Sequence, residues 1–127
     1  MKYILTLLAA LFVTTAFGAE AEFPDISVAD LKKAIEEKKA TVIDVNGASS
    51  YKAGHVPTAK DWASVKADLA KSLPADKGAL VVAYCGGPAC SAYKAAAKAA
   101  KELGYTNVKH LSAGISGWKG AGEALEK

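Results

Sequence analysis

The sequence contains no arginine: all 16 of its basic residues are lysines, set against 13 acidic residues. The chain therefore lacks the planar guanidinium group that usually holds phosphate or sulfate through paired hydrogen bonds. Its net charge of +3 is scattered, with no block of one sign, so nucleic acid is not expected as a partner. Any anion site in this protein must be built without arginine.

Long hydrophobic runs are confined to the first residues. Lys2 is followed by an apolar stretch at positions 4–17 and then by small residues, which is the layout of a secretory signal peptide. The stretch is shorter than the roughly 20 residues that cross a bilayer as a helix, so no stable membrane span is expected after cleavage. We predict a signal peptide over residues 1–19, cleaved somewhere after residues 18 to 21, and a periplasmic or secreted mature protein.

Cysteine is also scarce, with Cys85 and Cys90 the only two thiols. In an oxidising compartment such a pair can form a disulfide unless something keeps it reduced. Metal-binding cysteines usually lie closer together and come with a second pair of ligands, and neither condition is met here. We therefore expect no metal site.

Residues 20–127 are predicted to form one domain in which strands and helices alternate. Short apolar runs rich in β-branched residues predict buried strands, and apolar residues at helical spacing predict the helices between them. Ser27, followed by Asp30, predicts a helix start, and Gly104 predicts a helix end. The predicted strands cover residues 40–45, 78–84 and 107–111, and the main helices cover 28–39, 63–73 and 91–103. This order predicts an α/β fold with a largely parallel sheet.

The stretch "AYCGGPACSAY", residues 83–93, places Cys85 where a buried strand ends and a helix begins. Ligands of open α/β sheets bind at that edge. The pair Gly86 and Gly87 can turn successive amide groups inward, and the next helix adds the positive end of its dipole. A thiolate in such surroundings is a nucleophile, and the predicted substrate-binding loop consists of Gly86, Gly87, Pro88, Ala89, Cys90 and Ser91.

Four stretches of the chain, in the order in which they occur, resemble the rhodanese-like domain family. They are "ISVADLKKAIEEKKATVIDV", "AGHVPTA", "VVAYC" and "LGYTNVKHLSAGISGW". The resemblance implies a three-layer domain with a central, mainly parallel sheet of about five strands flanked by helices. It also implies that Cys85 carries sulfane sulfur as a persulfide, stabilised by the amides of residues 86–91.

In the reaction that the resemblance implies, the donor is a small sulfur-containing anion such as thiosulfate or polysulfide. The acceptor is a thiol or a cyanide-type nucleophile, and no cofactor takes part. Many members have arginine at two positions where this chain has Asn46 and Cys90. Efficient use of thiosulfate therefore does not carry over, and neither does the phosphatase activity of related proteins, which depends on a loop arginine.

For Cys90 three interpretations stay open. It can be a small buried residue under the loop, or a resolving thiol that attacks a persulfide on Cys85 and leaves a disulfide, or one half of a resting disulfide or sulfur relay. The whole protein has two alternatives to sulfur transfer. One is a dithiol redox protein that uses Cys85 and Cys90, and the other is a binding module without turnover.

Three further residues are assigned supporting roles. Asp44 ends its strand beside the loop, where it is expected to tie down backbone N–H groups. His55 is expected to stabilise a turn rather than to act as a base. His110 falls in a predicted strand and is expected to be structural.

Overall fold

The computed structural model describes residues 23–127, so the predicted signal peptide lies outside the described residues. Strands and helices alternate along this part of the chain, as predicted. None of its helices has the length and apolar character needed to cross a membrane. In chain order the elements are α1 (Val28–Glu36), β1 (Ala40–Asp44), α2 (Ala48–Ala53), β2 (Lys60–Asp61), α3 (Trp62–Val65), a 3-10 turn (Lys66–Asp68), α4 (Leu69–Ser72), β3 (Leu80–Tyr84), α5 (Tyr93–Glu102), β4 (Val108–His110) and α6 (Gly114–Gly120).

The four strands form one parallel sheet in the order β2-β1-β3-β4. The two central strands are paired along their whole length, from Ala40 opposite Leu80 to Asp44 opposite Tyr84. Because all strands run the same way, their carboxyl ends meet at one edge of the sheet. Cys85 follows the last residue of β3 at that edge.

The sheet has four strands among the described residues, where about five were expected. A fifth segment does reach the free edge of β4, but it pairs there only through Asp25 and His110. The N–H of His110 donates to Pro24 O and the N–H of Ile26 donates to His110 O. Proline has no N–H to extend such a ladder and α1 begins at Val28, so the segment ends as a single bridge.

Alternate residues of the central strands face two different helix layers. Val81 and Ala83 of β3 pack with the α5 side of the sheet, whereas Val82 and Tyr84 pack with α1 and α6. This period-two alternation puts both faces of the strand in contact with apolar side chains. Cys85 continues the alternation and lies on the α5 side.

Helix α1 begins where the sequence predicts but ends earlier than predicted. Ser27 Oγ accepts the N–H of Asp30 at 3.1 Å, which confirms the predicted cap of α1. Helix α1 stops at Glu36, three residues before the predicted end, because Lys38 turns to a φ of +57°. The N–H groups of Lys38 and Lys39 then close the helix on Ile35 O and Ala34 O.

The helix predicted over residues 63–73 is divided into α3, a 3-10 turn and α4. The break lies at Asp68, whose φ of −147° and ψ of 51° leave the helical region. Beyond it Leu69 and Leu73 are buried in the apolar cluster on the α5 side. Tertiary packing has overridden a local helical pattern here.

Candidate active site

Cys85 lies at the base of the carboxyl edge of the sheet and is only 1% exposed. The residues around it are fixed by the start of α6. Cys85 O accepts the N–H of Ile115, and Gly86 O accepts the N–H of Ser116, each at 3.0 Å. The strand on one side and α6 on the other therefore hold the sulfur-bearing residue in place.

Gly114 makes this close approach feasible. It has a φ of +62°, and a Cβ at this position would lie 2.6 Å from Gly86 C and Gly87 N and 2.7 Å from Cys85 O. No side chain fits into that space, and a left-handed φ is strained for residues other than glycine. The first residue of α6 thus sets the position of the cysteine loop.

The loop after Cys85 offers fewer amide donors than the six residues 86–91 would suggest. Pro88 has no N–H, and the N–H of Cys90 donates to Gly87 O at 3.1 Å and closes a turn. Within the described chain the remaining four amides donate to no backbone carbonyl. They belong to Gly86, Gly87, Ala89 and Ser91. These four N–H groups are the donors left for an anion.

Helix α5 begins directly after the loop. Its first residue is Tyr93, two residues later than predicted, and Ala92 at the N-cap provides no side-chain hydrogen bond. In its first turn the N–H groups of Lys94 and Ala95 donate to Ser91 O at 3.1 Å and to Ala92 O at 3.2 Å. The positive end of the helix dipole lies at the same point. Exposed Lys94 adds a positive charge to this end of the helix.

The sulfurs of Cys85 and Cys90 are bonded to each other, with the two Cα atoms 6.2 Å apart. Of the three interpretations of Cys90, the structure therefore shows the disulfide as the state of the pair. Cys85 has no free thiolate in this state, so nucleophilic chemistry requires reduction first.

The neighbouring strand end carries a buried carboxylate. Asp44 is fully buried, and its two oxygens accept the O–H of Tyr84 at 2.6 Å and the N–H of Asn46 at 2.7 Å. The Tyr84 oxygen in turn accepts the N–H of Val56 at 3.0 Å. Burial and the hydrogen bond to Asp44 raise the pKa of Tyr84 well above its usual value, so this phenol remains a donor.

Asn46 lies next to the loop, in the place where many family members have arginine. Its Oδ1 is 3.9 Å from the point that a Cβ on Gly86 would occupy. A neutral amide therefore borders the loop at this position instead of a guanidinium group. Cys90, at the other arginine position, is held in the disulfide.

His55 is only 3% exposed and is engaged through its ring and its backbone. The ring stacks on Tyr51 with centroids 3.7 Å apart, Nδ1 lies 2.8 Å from Tyr51 O, and Nε2 lies 3.4 Å from Glu126 Oε1. The backbones of His55 and Glu126 also exchange two hydrogen bonds at 2.9 Å. These contacts join the turn after α2 to the C-terminal segment.

His110 stands out in the structure in a way that the sequence did not indicate. Its ring stacks on Tyr93, the first residue of α5, with centroids 3.4 Å apart. Its Nε2 is the one buried side-chain nitrogen or oxygen within residues 23–127 that lacks a hydrogen-bond partner. Burial lowers the pKa of His110, opposed by the charge of Asp25 and assisted by that of Lys94. No local pattern marks this residue, because its stacking partner lies in a different element.

Within residues 23–127 no group of three or more histidine, cysteine and carboxylate side chains is placed to hold a metal ion.

A family model for the rhodanese-like domain matches residues 27–121. The chain is also 34% identical over 103 residues to the HTH-type transcriptional regulator Rv0324 of Mycobacterium tuberculosis. That match covers 80% of this chain and 44% of the regulator, so this chain spans less than half the length of its curated relative.

Two solved structures illustrate the similarity in fold. The BH2092 protein of Bacillus halodurans is 29% identical, with a TM-score of 0.65 over 81% of this chain and 76% of that one. SseA of Escherichia coli, a 3-mercaptopyruvate sulfotransferase with the rhodanese fold, is 21% identical, with a TM-score of 0.64 over 83% of this chain and 50% of that one. At that identity the second match shows the fold alone.

A parallel sheet with a cysteine loop at its carboxyl edge, leading into a helix, characterises this α/β domain, which has the rhodanese fold. The match over residues 27–121 makes the family explicit, and the chain belongs to the rhodanese-like domain family. The resemblance seen in the sequence is confirmed.

Proposed function

We propose that this protein is a sulfurtransferase or sulfane-sulfur carrier that forms a persulfide on Cys85. The observation that carries the proposal is the position of this thiol. It is buried at the carboxyl end of a central strand, and the loop above it has four amides without backbone partners. Amides fixed in this way stabilise a developing anion without having to reorganise.

In the proposed transfer the Cys85 thiolate attacks the outer sulfur of the donor. A bond forms between the two sulfurs, the donor's own bond to that sulfur breaks, and the leaving group departs with the electron pair. With thiosulfate the leaving group is sulfite. An acceptor thiol or cyanide then attacks the outer sulfur of the persulfide and regenerates the thiolate. These steps need no cofactor and no metal.

The surroundings of the loop favour one class of donor. The chain has no arginine, and neutral Asn46 borders Gly86. A doubly charged anion such as thiosulfate therefore receives less stabilisation here than beside a guanidinium group. We propose that donors with a single charge, such as organic hydropersulfides, serve better than thiosulfate, and that the protein works in the periplasm or outside the cell after removal of its leader.

The test is a transfer assay with reduced protein, polysulfide or thiosulfate as donor and cyanide as acceptor, followed by measurement of thiocyanate. Cys85→Ser is expected to reduce the rate by at least about 1000-fold, since the serine hydroxyl is a far weaker nucleophile. Circular dichroism verifies that the variant is folded. A variant as active as the wild type would overturn the proposal, and a wild type inactive with every donor would favour a binding module without turnover.

A second candidate function is favoured by the disulfide. Cys85 and Cys90 are bonded, so the pair can in principle cycle between dithiol and disulfide without carrying sulfur. The mass of the reduced protein after exposure to polysulfide separates the two candidates. In Cys90→Ser a gain of about 32 Da indicates a persulfide on Cys85. An unchanged mass in this variant, beside a wild type that loses about 2 Da while polysulfide is reduced to sulfide, indicates redox cycling alone.

A further inference from the structure

Cys90 lies close enough to Cys85 for their sulfurs to bond. This proximity suggests a route by which sulfur carried on Cys85 leaves the site. The Cα atoms of Cys85 and Cys90 are 6.2 Å apart, inside the range of ordinary disulfides. The two sulfurs therefore meet while Cys85 remains at the end of β3 and Cys90 remains in the turn before α5. This inference rests on the proposed function, because it concerns the fate of a persulfide on Cys85.

The two cysteines differ in their access to solvent. Cys85 is 1% exposed, whereas Cys90 is partly exposed and has exposed Ala89 and Ser91 on either side. While the disulfide is closed, a thiol arriving from solvent therefore reaches partly exposed Cys90 more readily than buried Cys85. Access is one of the factors that decide which sulfur of a disulfide is attacked.

The two cysteines also differ in how firmly their backbones are held. Cys85 and Gly86 each accept a hydrogen bond from α6, and β3 precedes them in the middle of the sheet. The turn at Cys90 is closed by one local bond, from its own N–H to Gly87 O. Cys85 is therefore the fixed partner, and Cys90 is the partner that moves when the bond opens.

From these contrasts we propose that Cys90 resolves the persulfide and releases its sulfur as hydrosulfide. The Cys90 thiol loses its proton and attacks the inner sulfur of the Cys85 persulfide. The Cys85–Cys90 bond forms, the bond to the outer sulfur breaks, and that sulfur leaves with the electron pair and a proton as HS⁻. The outer sulfur is reduced by two electrons, and the two cysteines are oxidised by two.

Returning to the dithiol state requires a dithiol reductant. Its first thiolate attacks the sulfur of partly exposed Cys90, which forms a mixed disulfide and frees the Cys85 thiolate. Its second thiol then attacks the mixed disulfide, releases Cys90 as a thiol and leaves the reductant as a disulfide. The partner class is thus a dithiol that approaches the exposed side of the loop, and the net reaction reduces sulfane sulfur to sulfide.

The experiment compares reduced wild type with Cys90→Ser. Each is loaded with polysulfide, separated from small molecules, and followed for sulfide release and intact mass without added reductant. Wild type is expected to release about one sulfide per chain and to end about 2 Da below the reduced mass. Cys90→Ser is expected to keep a gain of about 32 Da and to release sulfide at least about tenfold more slowly.

The outcomes separate this inference from the function on which it rests. If both proteins keep the added sulfur, or both release sulfide equally fast, resolution by Cys90 is overturned while the persulfide on Cys85 stands. If Cys90→Ser gains no mass with any donor, the proposed function itself fails.

The reductant step has its own test. Oxidised wild type is mixed with glutathione as a single-thiol probe and trapped with N-ethylmaleimide. Glutathione is expected on Cys90 and the maleimide on Cys85, because Cys90 carries the accessible sulfur. The reverse placement would overturn the proposed route of reduction.

Discussion

The carboxyl ends of β1 and β3 lie side by side in the sheet but carry different chemistry. At the end of β1, Asp44 is fully buried and both of its oxygens accept hydrogen bonds from within the domain. At the end of β3, Cys85 begins a loop whose amides have few internal partners. At the end of β1 the hydrogen-bonding groups of Asp44 are satisfied within the domain, so this strand end has a structural role. At the end of β3 the Cys85 thiol is available to react once the disulfide is reduced.

The difference between the two ends comes from the elements that cover them. Tyr84 and Val56 close the end of β1 with buried hydrogen bonds. The end of β3 is contacted by the start of α6 at Gly114 and faces the start of α5. Both helix starts lie at a loop of small residues, so backbone groups border the loop, while Cys85 itself packs in the apolar cluster on the α5 side. Substitutions made separately at the end of β1 and at the end of β3 test whether the two ends have these different roles.

The largest effect on stability is expected from Gly114→Ala. The added Cβ would overlap the backbone of Gly86 and Gly87 at a φ of +62°. Overlap and backbone strain together are expected to lower the free energy of unfolding by about 3 kcal/mol and to reduce sulfur loading on Cys85. Urea unfolding and intact mass measure the two effects.

Gly120→Ala is the matched control for that substitution. No atom lies within 4 Å of the point that a Cβ on Gly120 would occupy, and the φ of this residue is not left-handed. The substitution is expected to leave loading unchanged and to shift stability by no more than about 1 kcal/mol, in the stabilising direction. Equal destabilisation by both substitutions would contradict the role assigned to Gly114.

Tyr84→Phe is expected to weaken the supporting strand end. It removes the hydroxyl that donates to Asp44 Oδ2 and accepts from the N–H of Val56, and leaves that oxygen and that N–H buried without this partner. A loss of about 2 kcal/mol in the free energy of unfolding is expected. Tyr51→Phe, which removes a hydroxyl from a half-buried bond to Ala59 O, is expected to lose about 1 kcal/mol. A larger loss for Tyr51→Phe would reverse the ranking.

Asn46→Arg is expected to improve the binding of thiosulfate at the loop after β3. A guanidinium group beside Gly86 adds the charge that this loop lacks, so the KM for thiosulfate is expected to fall by roughly tenfold at low salt. Asn46→Gln changes the side-chain length without the charge and is expected to leave the KM unaltered. If the two variants behave alike, charge at this position does not select the donor.

The smallest effect concerns the pH dependence of stability. Burial lowers the pKa of His110, with Asp25 opposing and Lys94 assisting, so the unfolded chain binds this proton more readily than the folded one. Stability is therefore full above the unfolded value of about 6.5 and falls as pH decreases toward the folded pKa. His110→Phe keeps a ring against Tyr93 and is expected to flatten the curve between about pH 7.5 and 5.5. Parallel curves for the two proteins would contradict this assignment.

Local features of the sequence predicted the parts of the fold that depend on neighbours in the chain. Apolar runs that stop at Val45 and Tyr84 marked both strand ends to within one residue, and the Ser27 cap was visible directly. Contacts between distant segments, such as the hydrogen bond from Tyr84 to Asp44, forty residues away, were not predictable. They depend on which faces of the sheet the helices cover, and no local pattern records that.

The same limit applies within the candidate site. The loop's glycines predicted a backbone anion site, but which amides remain available depends on the turn at Cys90 and on Pro88. The short spacing of Cys85 and Cys90 allowed a disulfide without requiring one, because the loop conformation decides whether two sulfurs meet. The close contact between Gly114 and the loop was not predictable either, because the only indication of it in the sequence is the presence of a glycine.

The most direct test of the central claim is the intact mass of reduced Cys90→Ser, whose single thiol is Cys85, after exposure to polysulfide. A gain of about 32 Da that is removed by cyanide is predicted, since cyanide takes the outer sulfur of a persulfide. An unchanged mass after every donor, in a protein shown to be folded and reduced, would contradict the assignment of Cys85 as the sulfur-carrying nucleophile.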